Sequence, residues 1–276
     1  MQTLSEAEFE RLSEYIQRNY GIFLKKEKMT LVTGRLGNVL LSKNMNSFSE
    51  YFDYVVSDRS GQAAVELINK ITTNHTFFMR EEEHFEYFRN IVLPYLSKSV
   101  TDKDLRIWSA GCSSGEEPYT LAMIMDDYFG KEKMWWDTKV LATDISSNVL
   151  EEAQRAQYTS DDISHLPAQW QQKYFNCIMT GSTSKECAEL TQRIRNEVIF
   201  RKFNLMESVF PFKRKFHVIF CRNVMIYFDN DTKNRLVNKL YDLTEDGGFL
   251  FIGHSESLNR DKTRYKYIMP ALYRKE

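Results

Sequence analysis

The chain has 276 residues, of which 42% are hydrophobic and 27% charged, and a formal net charge of −1. This is the composition of an ordinary folded protein with one large domain or two smaller ones. It excludes a global electrostatic pull toward nucleic acid or an anionic membrane, a membrane-spanning apolar run and, from Met1-Gln2-Thr3-Leu4-Ser5-Glu6, the basic-then-apolar pattern of a secretory leader.

Residues 3–70 read as helix throughout. Thr3 with Glu6 and Ser5 with Glu8 offer overlapping capping boxes. Phe9, Leu12, Ile16 and Tyr20 then keep helical spacing up to a stop at Gly21. A second helix is predicted from about Lys26 to Lys43, with Met29, Val32, Leu36 and Val39/Leu40 on one face. Ser47 and Glu50 box the start of a third, and a fourth spans roughly Gly61 to Ile71. Arg18, Lys25, Lys26, Lys28, Arg35 and Lys43 stand against the single acid Glu27. Such a run is usually a solvated helix face; the functional alternative is a docking face for an acidic helical partner.

Ile71 to Arg80 follows, mixing β-branched, aromatic and hydrogen-bonding residues without Pro or Gly, and Glu81-Glu82-Glu83-His84-Phe85 opens the next helix. A flexible linker has a different composition. The segment reads as a packed strap that presents polar side chains.

From Leu105 strand and helix signals alternate, as in a mostly parallel sheet covered by helices. Strands are predicted at Leu105–Trp108, Lys139–Thr143, Val198–Lys202, His217–Cys221 and Phe249–Gly253, with Asp246-Gly247-Gly248 as a turn before the fifth. A last strand signal covers Tyr267–Tyr273. The connection to it is too short for a helical crossover, so it is expected to run antiparallel. Residues 157–197 do not fit one crossover and read as a small β insertion with Thr180-Gly181-Ser182-Thr183-Ser184 at its tip, or as a long surface loop.

The first strand meets its helix through Ser109-Ala110-Gly111-Cys112-Ser113-Ser114-Gly115-Glu116-Glu117-Pro118-Tyr119. Gly111 lets a ligand lie against bare main chain at the end of the strand, the cofactor end of a doubly wound sheet. There is no Gly-x-Gly-x-x-Gly and no phosphate-holding lysine; Glu116 and Glu117 would repel a phosphate and suit a cationic ligand such as S-adenosylmethionine. An ordinary turn with exposed acids accounts for the loop equally well. Asp144, at the end of the second strand and 33 positions after Gly111, tips the balance toward a ribose-binding carboxylate; its competing role is as cap of the following helix. A doubly wound sheet closed by an antiparallel strand is the methyltransferase variant of the fold. Cys112, Cys177, Cys187 and Cys221 have neither zinc-site spacing nor the density of a disulfide scaffold, so reduced thiols, a cytoplasmic location and no metal are expected.

Thr73 to Arg80, Ser109 to Tyr119, Phe220-Cys221-Arg222-Asn223-Val224-Met225-Ile226-Tyr227-Phe228 and Gly253-His254-Ser255-Glu256 together resemble the CheR chemotaxis receptor methyltransferases, in the family's order and over essentially the whole chain. The resemblance implies an α/β S-adenosylmethionine-dependent methyltransferase fold, Rossmann-like, with a small β insertion and an all-helical amino-terminal domain. The expected division is residues 1–71 helical, 72–84 a linker contributing to the active site, and 85–276 the methyltransferase domain with its insertion at about 168–197. The implied reaction is methyl transfer to glutamate carboxylates on the cytoplasmic helices of chemoreceptors, giving methyl esters and S-adenosylhomocysteine.

Carried over residue by residue, the family's cofactor contacts fall on Asn74, Thr76, Arg80, Gly111, Glu117, Asp144, Asn204, Leu205, Arg222 and Asn223, and Arg80 and Tyr227 stand nearest the transferred methyl. Gly111 and Cys112 replace alanines of some relatives; both remain small. An unperturbed glutamate carboxylate titrates near about 4.3 and is a nucleophile at neutral pH without a general base. The enzyme's task is alignment and removal of water. Arg80 is suited to hold a carboxylate and Tyr227 to orient the incoming group, although Arg80 could instead pair with Glu82 or Glu83 and Tyr227 could be a core aromatic. The resemblance implies that the amino-terminal domain helps dock the receptor's methylation helices, and Lys25, Lys26, Lys28, Arg35 and Lys43 are expected to form part of that face; a monomer is expected. Thr180 to Cys187 lacks the Gly/Arg-rich pattern with which some relatives bind a receptor's terminal peptide, so peptide-independent binding is expected. A small carboxylic acid or amine is the competing substrate class, but an Asp/Asn-Pro-Pro-aromatic motif is absent after the fourth strand. A non-enzymatic sensing module is disfavoured by the retention of Arg80 and Tyr227.

Overall fold

The computed structural model describes residues 3–72, 75–180 and 185–276. The chain forms two compact units: Met1–His75 with Asn204–Ser208 and Ile226–Lys233, and Thr76–Phe203 with Val209–Met225 and Asn234–Glu276.

The first unit is built on α1 (Glu6–Tyr20), α2 (Met29–Ser42), α3 (Phe48–Ser57) and α4 (Gln62–Ile71). Of the two possible boxes before α1, Ser5 forms the one used. Its hydroxyl accepts the Glu8 N–H at 3.3 Å, and Glu8 accepts the Ser5 N–H at 2.9 Å. Gly21 ends α1 at φ 72°, donating to the Gln17 carbonyl. Lys26–Lys28 form a single 3-10 turn ahead of α2, and no side chain caps the start of either. At α3 the box is half made: Ser47 caps the Glu50 N–H, while the Glu50 carboxylate accepts from Asn46. Phe9, Leu12, Ile16, Val32, Leu36, Leu40, Tyr51, Val55, Leu67 and Ile68 form one core. Burial of each such side chain contributes about 1.5–3 kcal/mol. Two returning segments join this unit. Phe23 N–H donates to the Tyr227 carbonyl at 2.8 Å, and Asn204 Nδ2 donates to the Asn19 carbonyl at 2.9 Å.

Three of the five expected docking cations already have partners within this unit. Lys26 pairs with Glu6, and Lys43 Nζ lies 3.0 Å from Glu66. Arg35 donates to the Ile71 carbonyl, closing the carboxyl end of α4. Lys25 and Lys28 are exposed and take part in no ion pair among the described residues.

The second unit contains, in order, α5 (Glu82–Tyr87), α6 (Leu93–Ser99), β1 (Ile107–Ala110), α7 (Glu116–Phe129), β2 (Val140–Asp144), α8 (Ser147–Arg155), β3 (Gln157–Thr159), α9 (Ser160–Ile163), α10 (Ala168–Tyr174), β4 (Phe175–Thr180), β5 (Lys185–Leu190), α11 (Gln192–Arg195), β6 (Val198–Lys202), β7 (Phe216–Cys221), β8 (Thr244–Ile252), β9 (Lys266–Met269) and β10 (Leu272–Arg274). The helix α12 (Asn230–Asp242) precedes β8. The main sheet has the order β6-β2-β1-β7-β8-β10-β9. Its first five strands are mutually parallel, and β10 runs antiparallel to β8. The final strand signal is in fact a hairpin, broken at Pro270-Ala271 with Ala271 at φ 62°. Asp246-Gly247-Gly248 lies inside β8, where the register against β7 slips, instead of in a turn before it.

Trp108 anchors β1. It is fully buried among Phe203, Phe210, Phe212 and Phe216, and its indole N–H donates to the Thr143 hydroxyl on β2 at 2.9 Å. The order β3-β5-β4 forms a separate antiparallel sheet, and its expected tip at 181–184 lies outside the described residues. Buried Asp126 on α7 ties this inserted region down, accepting from the Tyr174 hydroxyl at 3.0 Å and from Arg193. Among the described residues no helix is long and apolar enough to cross a membrane.

Candidate active site

The carboxyl ends of β1, β2, β7 and β8 converge on one cluster of polar groups in the second unit. At the end of β1, Gly111 and Gly115 take φ of 87° and 98°. A Cβ at Gly111 would run into the Val224 side chain, and one at Gly115 would lie 3.0–3.1 Å from Ala153, Tyr119 and Tyr158. The loop is bound to β2 through its own amides: Gly111 and Cys112 donate to the Thr143 carbonyl, and Ser113 N–H to Asp144 Oδ2 at 3.0 Å. Asp144 Oδ1 accepts the Ser146 N–H at 3.0 Å, but the cap of α8 is Ser146, whose hydroxyl accepts from Val149. Asp144 is therefore a bridge between two strand ends. Burial pushes its carboxyl up, opposed by the amides of Ser146, Ser113 and Ile145.

The two glutamates that open α7 diverge. Glu117 accepts from the Ser109 hydroxyl at 2.7 Å and from Arg222 Nη1 at 2.9 Å. Glu116 turns back to the Ser114 hydroxyl and is buried. Burial raises its carboxyl to about 7, opposed by its own amide and by Ser114. Only Glu117 presents the carboxylate that the sequence reading gave to both.

Arg222, at the exit of β7, has a side chain only 2% exposed. Its guanidinium lies between two carboxylates, Glu117 at 2.9 Å and Glu81 at 3.1 Å, with the Arg80 carbonyl as a third acceptor. It also stacks 5.0 Å over the Phe85 ring. Arg222 is thus an internal strut, with its donors committed to protein acceptors. Asn223, at φ 59°, donates its side-chain amide to Glu81 at 3.2 Å and its backbone N–H to Glu256 at 3.0 Å. Glu256 also accepts the Gly253 N–H, and His254 N–H donates to Glu81 at 3.2 Å.

Glu81 was not among the residues singled out from sequence. It is the residue next to Arg80, held at φ 58°, and Met79 on the other side is at φ 59°. Left-handed backbone at two non-glycine residues is costly and persists where surrounding contacts determine it. Burial raises the Glu81 carboxyl, but the Arg222 charge and the bonds from Asn223, His254 and Arg222 outweigh it and hold the group below the usual range. His84 is buried beside it, with neither ring nitrogen hydrogen-bonded. Burial, with Arg222 second, lowers its pKa to about 3, so it is neutral at physiological pH. Glu81, His84 and His254 bring ligand atoms within 4.8 Å of one another. Arg222 already pairs with the Glu81 carboxylate at 3.1 Å, so a divalent cation there would meet a fixed positive group.

Of the other expected residues, Thr76 and Arg80 are half-buried on the strap of this unit, and neither Glu82 nor Glu83 is buried with them. Asn204, Leu205 and Tyr227 belong to the first unit. There Asn204 is occupied with Asn19 and with the Met206 N–H, and Tyr227 packs on the helical core. Asn74 lies outside the described residues. The cluster suits a nucleoside carrying positive charge: a left-handed glycine cradle, a strand-end carboxylate at Asp144, and a partly buried carboxylate at Glu117 in place of a phosphate-binding lysine.

Two family models match, the CheR methyltransferase all-alpha domain over residues 7–72 and the CheR methyltransferase SAM binding domain over residues 74–273. A chemotaxis protein methyltransferase of Borreliella burgdorferi is 41% identical over 275 residues, covering 99% of this chain and 95% of that protein. The chemotaxis protein methyltransferase of Escherichia coli is 35% identical over 265 residues, covering 95% and 88%. Strand order, glycine cradle and sequence agree, and the chain belongs to the CheR family of S-adenosylmethionine-dependent methyltransferases.

Proposed function

We propose that the protein methylates glutamate side chains on the cytoplasmic helices of chemoreceptors, within the cytoplasm, in sensory adaptation. The observation that carries this reading is the carboxylate-bearing glycine cradle in a chain matched end to end by chemotaxis methyltransferases. S-adenosylmethionine, when bound, supplies a methyl group already activated on a sulfonium. In this reading Asp144 accepts from the ribose hydroxyls and Glu117 takes the ligand's ammonium. Thr76 on the strap completes the cofactor contacts, and Arg222 and Asn223 act by holding the strap and Glu117 in register.

The substrate carboxylate needs no base, and no base is assigned. Arg80 holds a carboxylate by a charge-assisted bond, and Tyr227 orients the incoming group. Attack of an anion on a cation neutralises charge, so exclusion of water by these side chains favours the reaction. Lys25 and Lys28 are the strongest docking cations, since Arg35 is committed to the end of α4 and Lys43 to Glu66. Transfer of labelled methyl onto a purified receptor cytoplasmic fragment tests the proposal. Label that mild base releases as methanol supports it; label on an amine or a small acid sends the substrate elsewhere.

A further inference from the structure

We propose that Tyr158 is a positioning residue for methyl transfer, fastening the glycine cradle to the strap that carries Arg80. Its hydroxyl donates to the Ser114 carbonyl at 2.8 Å. That carbonyl needs an outside donor, because the residue four positions on, where a helical bond would originate, is Pro118 and has no N–H. Tyr158 lies on β3, 44 positions from Ser114, so the bond ties the inserted sheet to the loop between Gly111 and Gly115. The hydroxyl also stands 3.1 Å from where a Cβ at Gly115 would lie, which leaves that position, at φ 98°, to glycine.

The ring of the same residue reaches the strap. Phe78 is the one buried side chain in residues 75–80. It meets Tyr158 edge-to-face at 4.7 Å and Phe175 on β4 at 5.7 Å. Strand pairing puts these two rings on one face. Tyr158 and Cys177 both stand opposite Ala188, and Phe175 stands opposite Leu190, so Tyr158, Ala188, Leu190 and Phe175 point to the same side of the sheet. All four are buried, while Gln157, Thr159 and Asn176 at alternate positions are exposed. The buried side therefore holds Phe78. Thr76 and Arg80 each lie two residues from that anchor, and the Arg80 N–H bonds back to the Phe77 carbonyl at 3.3 Å. Displacing Tyr158 displaces both the cradle and the strap, with no contact between its side chain and a ligand required.

The inference rests on the methylation reading, and the experiment separates the two. Affinity for S-adenosylhomocysteine and kcat on the receptor fragment are measured for the full chain, with urea unfolding to verify that each variant is folded in the assay. Y158F keeps the ring and loses the hydroxyl: its dissociation constant is expected to rise about threefold to tenfold, with a smaller fall in kcat. F78L and Y158L break the ring contact and free the strap, and each is expected to lower kcat about tenfold or more. Because both break one contact, the double variant F78L/Y158L is expected to be no more than about twofold slower than the slower single variant. A wild-type dissociation constant in Y158F, or a double variant whose kcat losses multiply, would reduce Tyr158 to a packing residue and overturn the proposal. Should the leucine variants fail to fold, Y158F decides alone. A wild-type chain that binds the compound and methylates no receptor fragment would remove the methylation reading instead, and the Y158F affinity would still decide whether Tyr158 holds the cradle.

Discussion

Arg222 Nη1 lies 2.9 Å from Glu117 Oε2, and through the opposite edge of its guanidinium Arg222 also holds Glu81 at 3.1 Å. One buried cation thereby joins the strap, the first turn of α7 and the end of β7. Removing it leaves two carboxylates facing each other without compensation. Arg222→Ala is expected to destabilise the protein by about 3–5 kcal/mol. Arg222→Lys recovers only part of this, because an ammonium has no fork to span both acceptors. Urea unfolding of the two variants checks the order.

The Trp108 indole bond to Thr143 fixes β1 against β2 just before the glycine cradle. Trp108→Phe keeps an aromatic ring among the surrounding phenylalanines but leaves the buried Thr143 hydroxyl without this donor. A loss of about 1–3 kcal/mol is expected, read from the unfolding midpoint at unchanged slope.

Much of this framework is written in local pattern. The strand-and-helix alternation, the Ser5 and Ser47 caps and the Gly21 stop each depend on residues within a turn of one another. What the sequence hid was long-range. Glu81 and Arg222 are 141 positions apart, and nothing local to Glu81 distinguishes it from Glu82 and Glu83. Glu116 and Glu117 are equally alike in sequence; packing sends one back to Ser114 and the other to Arg222. The hairpin at β9 and β10 was hidden by apolar continuity from Tyr267 to Tyr273, and an alanine in left-handed backbone is not a residue from which a turn is read. Asp144 was legible in place; its tie to Ser113 was not.

Glu116 makes stability depend on pH. Its carboxyl is near 4.5 when unfolded and about 7 when folded, so the folded state binds the extra proton between these values. Its contribution is complete below pH 4.5 and is lost as pH rises through 7. Glu116→Gln removes the ionisation penalty and is expected to gain about 3 kcal/mol over wild type above pH 8, with the gap closing in acid. Denaturant unfolding across this range measures the difference.

The docking face gives a contrast between cations. Reversal of Lys25 and Lys28 to glutamate is expected to slow receptor methylation about tenfold at low salt without changing donor affinity, an effect that high salt erases. Arg35→Ala is expected to cost about 1 kcal/mol of stability instead, through loss of its bond to the end of α4. Initial rates and thermal unfolding of the same samples distinguish the two.

The cradle at Gly111, bridged to Asp144, is expected to hold an adenosyl ligand by its sugar. Equilibrium dialysis with labelled S-adenosylhomocysteine tests it most directly, comparing wild type with Asp144→Ala. Saturable binding to the wild type, weakened by at least about tenfold in the variant, is the predicted result. Equal binding by both proteins, or none by folded wild type, would contradict it.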